Sequence, residues 1–86
     1  MIVRLRSTVT IADTEDGVVL LDRRTGRYFQ LNVTGSQILR TLLDGSTIDA
    51  AVTALTASHG IGQDRARADV GKLIDRLSRA RLVAVS

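Results

Sequence analysis

The chain has 86 residues, of which 44% are hydrophobic and 24% charged, a composition typical of a folded domain and not of a disordered chain. Its 12 basic and 9 acidic residues give a net charge of +3, which allows attraction to nucleic acid, anionic surfaces or acidic peptides without choosing among them. With no cysteine and one histidine, the sequence excludes a disulfide framework, a cysteine nucleophile and a Cys-ligated zinc site.

The first third of the chain alternates apolar and polar residues, which is the period of a half-buried strand. Between residues 3 and 11, the apolar residues Leu5, Val9 and Ile11 fall on odd positions, with arginines and threonines between them. Polar turns at 13–17 and 22–26 separate this segment from two further β-rich runs, residues 18–21 and 27–31. We therefore predict a three-stranded antiparallel meander in which residues 27–31 form the third strand.

After Asn32 the apolar spacing changes to that of a helix, and three helical segments follow. Asn32 or Thr34 can cap the first helix, Ser46 begins a capping arrangement for the second, and Asp64 can cap the third. The apolar tail at residues 82–85 is expected to pack against the helices or the sheet. The predicted fold is α+β and winged helix-turn-helix-like, with a three-stranded antiparallel sheet followed by three helices.

Membrane and export signals are missing from this sequence. The longest run of large apolar residues is only residues 18–21, whereas a membrane span needs about 20 residues. The first residues also lack the long apolar stretch of a signal peptide. We therefore expect a single cytoplasmic domain comprising residues 1–86.

Candidate catalytic and metal-binding residues are few. Asp13, Glu15 and Asp16 lack the further oxygen ligands of a calcium-binding loop. Asp16 and Asp22 could in principle act as an acid and base pair, but both lie at predicted turns, outside any predicted pocket. His59 lies near the end of the second predicted helix, where a cation suits the helix dipole. We therefore expect no enzymatic activity, no metal and no cofactor.

The third predicted strand has a neighbour on one side only, so its other side presents unpaired N–H and C=O groups to an incoming strand. Arg27 is its one charged residue, and no proline blocks it. Phe29 and Leu31 alternate with Tyr28 and Gln30, so the two pairs lie on opposite faces of the strand. An extended peptide could therefore add to this strand through backbone hydrogen bonds.

The third predicted helix is basic and supports an alternative function. As a recognition helix it would make the chain a small winged-helix DNA-binding protein. However, acidic residues are interspersed along it, and no Asn or Gln lies between Asp64 and Ser86 to read base edges. A homo-oligomer that pairs through the open strand is a third possibility.

Two flanks of the third helix could face the open strand. The flank that we predict combines an apolar side chain with charges of both signs: Asp69, Lys72, Leu73 and Arg76. The rival flank contains Gly71, whose cost in a helix interior hints at a close backbone approach there. This rival flank consists of Arg67, Gly71, Ile74 and Ser78.

Residues 17–36, with the sequence GVVLLDRRTGRYFQLNVTGS, resemble the D-G-x-x-L-L-D…G-x-Y-F-x-L-N-x-T-G stretch of PqqD-like proteins. The resemblance continues through residues 38–45 and the apolar pattern of residues 70–83, so it covers nearly the whole chain. Two positions depart from the pattern: Val33 stands where many members have proline, and Arg81 where many have glycine.

PqqD-like proteins are RiPP recognition elements, and a stand-alone chain of this size is most similar to the leader-binding subunit of lasso-peptide clusters. The pyrroloquinoline-quinone branch shares the pattern, so the pathway stays open. The resemblance implies a non-catalytic protein that adds a leader peptide, antiparallel, to the strand at residues 27–31, against the third helix. An aromatic ring of the leader would enter an apolar pocket. The resemblance also implies that Phe29 and Leu31 face the helices, while Tyr28 and Gln30 contact leader side chains on the opposite face.

The resemblance also implies a set of partners. The first is the leader region of a precursor peptide, and the second is a separate cysteine leader peptidase to which the bound leader is presented. The cyclase of such a pathway is a further candidate partner. Neither nucleic acid nor a membrane is expected.

Overall fold

A computed structural model describes residues 2–86 of the chain. The elements are β1 (Val3–Leu5), β2 (Val9–Thr14), β3 (Gly17–Asp22), β4 (Arg27–Leu31), α1 (Val33–Leu43), α2 (Ile48–His59), α3 (Gln63–Arg79) and β5 (Val83–Val85). The predicted meander and three helices are confirmed, because β2, β3 and β4 form an antiparallel sheet in that order and the helices follow it.

The first predicted strand is wrong as a single element. Residues 3–11 are divided between β1 and β2 by a turn in which the Val9 N–H donates to the Arg6 carbonyl at 3.0 Å. β1 pairs with β5 in a separate two-stranded sheet, so the C-terminal tail is itself a strand. The alternation at odd positions continues through the turn, and periodicity alone therefore does not mark the break.

Two helices begin at different caps from those predicted. The α2 cap is Thr47 and not Ser46, because the Thr47 hydroxyl accepts the Ala50 N–H at 3.0 Å. The α3 cap is Gly62, and Asp64 lies inside the first turn, where its carboxylate still complements the positive end of the helix dipole.

One aliphatic core fills the space between the meander and the helices. The half-buried Phe29 is the one aromatic residue that packs against it. Each fully buried Leu or Val contributes about 1.5–3 kcal/mol relative to an exposed side chain. The largest fully buried side chains are Leu20, Leu39, Leu55, Leu82, Val18, Val52 and Val70.

The passage from β4 into α1 is closely packed against the start of β3, and we call it the β4–α1 junction. Gly17 has a φ of 143°, and a Cβ at this residue would overlap the Leu31 carbonyl oxygen and lie 2.7 Å from Ser36 Oγ. The buried Ser36 hydroxyl donates to the Asn32 carbonyl at 2.7 Å. Asn32 Oδ1 accepts the Gly35 N–H at 2.8 Å and caps α1, as one of the two predicted caps. These contacts fix the direction in which α1 leaves the sheet.

Asp22 is a buried carboxylate that stabilises the turn between β3 and β4 through contacts with Arg24. Its Oδ1 accepts the Arg24 N–H at 3.0 Å, and its Oδ2 lies 3.6 Å from the Arg24 guanidinium. Burial raises the pKa of Asp22, but hydrogen bonds from the Arg24 backbone and the Thr25 side chain, together with the Arg24 charge, lower it by more. The pKa of Asp22 therefore lies below its ordinary value of 3.8, and the turn is stabilised by the charged form.

Replacing Gly17 with alanine tests the packing of the junction. We expect Gly17→Ala to lower the free energy of unfolding by about 3 kcal/mol, because the new Cβ meets backbone and the φ is unfavourable for an L-residue. Gly71→Ala is the matched control, since its Cβ meets no described atom within 4 Å and a helix interior favours alanine by about 1 kcal/mol. Urea unfolding of both variants makes the measurement, and equal stability of the two would contradict the account of Gly17.

Replacing Asp22 with asparagine tests the charged turn. A carboxylate whose pKa is lowered by folding stabilises the fold above its unfolded pKa, and this contribution is lost as the pH falls through the folded pKa. We expect Asp22→Asn to be less stable than the parent at pH 6 and the difference to shrink below about pH 4. Urea unfolding across this range measures it, and a constant difference at all pH values would show that the charge is not responsible.

Candidate functional site

The site begins at the free edge of β4. Within residues 2–86, β4 pairs with β3 and with no other strand, and the register places Leu31 opposite Val18 and Arg27 opposite Asp22. The outer side of β4 therefore keeps backbone donors and acceptors without a strand partner in the described part of the chain. Such an edge can receive a further strand.

The side chains of β4 alternate between two environments. Leu31 is buried at 4% exposure and Phe29 is half-buried against the core, so both face the helices. Tyr28 is 70% exposed, and Gln30 is exposed on the same outer face. The Arg27 guanidinium lies 5.7 Å from the centre of the Phe29 ring, within range of a cation–π contact. Contact of these residues with a peptide stays a prediction.

A groove runs from the Leu31 end of β4, past the first turn of α1, to α3, and we call it the β4–α3 groove. It consists of two adjoining cavities of about 360 and 350 Å³, open to solvent. The two cavities share Asn32, Gly35, Leu73 and Arg76. The first is completed by Asp16, Gln30 and Leu31, and the second by Thr34, Ile38, Asp69 and Lys72.

All four residues of the predicted α3 flank line this groove, namely Asp69, Lys72, Leu73 and Arg76. The rival flank is engaged elsewhere. The Arg67 guanidinium lies 2.7 Å from the Asp49 carboxylate of α2, and Ile74 packs against the core. No backbone of the described chain comes close to Gly71, because a Cβ there would meet no described atom within 4 Å.

Asp16 belongs to the groove, contrary to the expectation that it lies outside any pocket. It is at the turn before Gly17, and the close packing of Gly17 against Leu31 brings this turn to the end of β4. The first turns of α1 were also missed, although Asn32 and Gly35 belong to the motif that follows the strand. A residue directly after an edge strand lies near the end of that edge, and this signal indicates Asn32 but not Asp16.

The groove has an apolar floor and a charged rim. Leu31, Ile38 and Leu73 are all at most 8% exposed and form the floor. Among residues 2–86, no three His, Asp or Glu side chains lie close enough together to hold a metal ion. His59 lies outside the groove, where its Nε2 is 3.0 Å from Gln37 Oε1 and links the end of α2 to α1. Over the same residues, none of the helices is both long and apolar enough to cross a membrane.

Together, the fold and the groove define a small recognition domain with an open strand beside a helical wall. The family model for coenzyme PQQ synthesis protein D (PqqD) matches residues 17–83, and the chain belongs to the PqqD family. The resemblance to PqqD-like RiPP recognition elements is thereby confirmed. No curated protein matches the chain.

Two solved structures are similar to the chain over nearly its whole length. One is a lasso peptide synthetase B1 complexed with the leader peptide, which is 33% identical, has a TM-score of 0.94, and matches over 99% of this chain and 100% of that chain. The other is TbiB1 in complex with the TbiA(β) leader peptide, which is 28% identical, has a TM-score of 0.87, and matches over 96% of each chain.

Proposed function

We propose that this chain binds the leader region of a ribosomally made precursor peptide, of the lasso-peptide class, as a strand added to β4. One observation carries the proposal: the open edge of β4 borders a groove whose far wall is α3. The similarity to a lasso peptide synthetase B1 complexed with the leader peptide supports it, as does the similarity to TbiB1 in complex with its leader.

Binding would combine a backbone ladder with one side-chain anchor. The five residues of β4 supply the ladder to an antiparallel leader strand, and five extended residues span about 17 Å. An aromatic ring of the leader enters the groove above Leu73 and Ile38 and contributes about 2–4 kcal/mol, as interface hot spots do. Tyr28 and Gln30 contact leader side chains on the outer face. The affinity is micromolar or tighter.

The chemistry that follows would be carried out by partners. We propose that residues 1–86 act as one non-catalytic, cytoplasmic domain that presents the bound leader to a separate cysteine leader peptidase, with the cyclase as a further partner. An antiparallel leader leaves β4 at Arg27, because β4 runs from Arg27 towards Leu31. The part of the precursor to be processed therefore extends from the Arg27 end, away from the groove.

DNA binding by α3 is the weaker alternative. Arg67 and Arg79 are in ion pairs with Asp49 and Asp75, so part of the positive charge of α3 is already balanced. Lys72 and Arg76, which a recognition helix would direct at phosphates, line the groove instead. Of the basic residues of α3, only Arg65 is neither in an ion pair nor in the groove.

Leader binding is tested by the fluorescence anisotropy of a labelled peptide, the leader region of the precursor encoded next to this chain's gene. We expect a dissociation constant in the micromolar range or below that changes less than about threefold between 50 and 200 mM salt, since the anchor is apolar. A protein that makes 6–10 phosphate contacts loses roughly 10³–10⁵ in affinity over this range. A labelled DNA duplex serves as the comparison. The proposal would be contradicted if the protein bound this duplex more tightly than the leader peptide and lost affinity for it steeply with added salt.

Two leucines of α3 provide matched variants for the same assay. Leu73 lines the groove, whereas Leu77, one turn further on, is similarly buried and does not. Both changes to alanine cost stability, roughly 2–4 kcal/mol. We expect Leu73→Ala to weaken leader binding about tenfold or more, while Leu77→Ala and Gly71→Ala leave it within about twofold, provided that circular dichroism shows each variant folded. Equal weakening by Leu73→Ala and Leu77→Ala would mean that α3 does not form a wall of the site.

A further inference from the structure

The charged residues of the β4–α3 groove take part in none of the ion pairs of the described chain. Four ion pairs occur among residues 2–86, and each joins an arginine to an aspartate outside the groove. None of them includes a charged residue of the groove, and these residues are Asp16, Asp69, Lys72 and Arg76. Other surface charges also lack ion-pair partners, and one of them, Arg6, lines a separate cavity, but these four line the groove beside β4.

Asp16 and Arg76 border the first cavity from opposite elements. Asp16 comes from the turn between β2 and β3, and Arg76 from α3, and the two form no ion pair with each other although they line the same space of about 360 Å³. Gln30 and Leu31, at the end of β4, line this cavity as well. A strand that pairs with the end of β4 would therefore pass between a carboxylate and a guanidinium.

Occupying this cavity has an electrostatic consequence. A peptide that fills it removes water from both charges, and a buried charge without a partner costs free energy, more so when it is fully desolvated. A peptide with a basic side chain towards Asp16 and an acidic one towards Arg76 supplies both partners. Lys72 and Asp69 line only the second cavity, where they add one charge of each sign, so Asp16 and Arg76 are the charged residues of the first cavity.

We propose that Asp16 and Arg76 select the leader by charge, and this inference rests on the proposed function. Asp16 pairs with a basic side chain of the added strand, and Arg76 pairs with an acidic one. The Gly17–Leu31 packing brings the Asp16 turn to the Leu31 end of β4. An antiparallel strand begins at that end, so the basic residue belongs to the N-terminal part of the bound segment. The apolar anchor gives affinity, and the two charges decide which sequences are accepted.

The test is a selection from displayed decapeptides that are randomised at every position. The library is selected on the parent protein, on Asp16→Lys and on Arg76→Glu. Two matched controls carry the same charge changes outside the groove: Glu15→Lys, one residue from Asp16, and Arg79→Glu, one turn from Arg76. Selected peptides are retained when they shift the amide signals of residues 27–31 in NMR spectra, which identifies binding at β4.

We expect peptides selected on the parent to be enriched for Lys or Arg at one position and for Asp or Glu at a second. In Asp16→Lys the basic preference should fall about tenfold, which corresponds to about 1.4 kcal/mol, and turn towards acidic residues. Arg76→Glu should invert the acidic preference, and the two controls should change neither. Asp16→Asn, which keeps the size of the side chain, should remove the basic preference without inverting it.

The outcomes separate this inference from the proposed function. Peptides that bind at β4 without a charge preference, or with one that Asp16→Lys and Arg76→Glu leave unchanged, would overturn the charge selection and leave peptide binding intact. If no selected peptide shifted the signals of residues 27–31, the proposed function itself would be wrong. A preference that changed equally in Glu15→Lys would assign it to the net charge of the turn, which also overturns the role of Asp16.

Discussion

The contact of Gly17 with the Leu31 carbonyl is the constraint on which the rest of the site depends. A side chain at residue 17 would occupy the space of that carbonyl. Only glycine at this position therefore allows the start of β3 to lie against the end of β4. The Ser36 hydroxyl and the Asn32 cap then set the first turn of α1 in the same place. One packing arrangement therefore positions the turn that carries Asp16, the end of the open strand and the start of α1. These are three of the groove's four sides.

The fourth side is α3, and its rotation about its own axis is set by contacts on both flanks. Val70 and Leu77 are buried in the core, and the Arg67–Asp49 ion pair ties the rival flank to α2. Leu73, at 8% exposure, lies at the boundary between core and groove and serves both. The same buried stripe that holds the helix against α2 and β5 thus presents an apolar floor, flanked by charges, to the space beside β4. Recognition and stability share residues in so small a domain, because 86 residues provide little surface that is not close to the core.

Much of this arrangement could be predicted from sequence, because it is local. The period of two marks the meander, the change of period after Asn32 marks the helices, and the spacing of Asp69, Leu73 and Arg76 places them on one side of α3. The pairing of β1 with β5 could not be predicted, since it joins residues about 80 positions apart and no local pattern encodes such a contact. Asp16 was missed for a related reason: its place in the groove depends on the packing of Gly17 against Leu31 and not on the turn that contains it.

Hydrogen exchange at the backbone amides of β4 tests the central claim most directly. In a strand, successive amides point to opposite neighbours, so the amides of Arg27–Leu31 that point towards β3 are protected in the free protein and the alternate ones are not. If a leader peptide adds as a strand, saturating the protein with this peptide should slow the exchange of the outward-pointing amides at least about tenfold. All the amides of β4 should then have similar protection from exchange. Outward-pointing amides that continue to exchange at their free rate, while the bound peptide is saturating, would contradict the claim that β4 receives the leader.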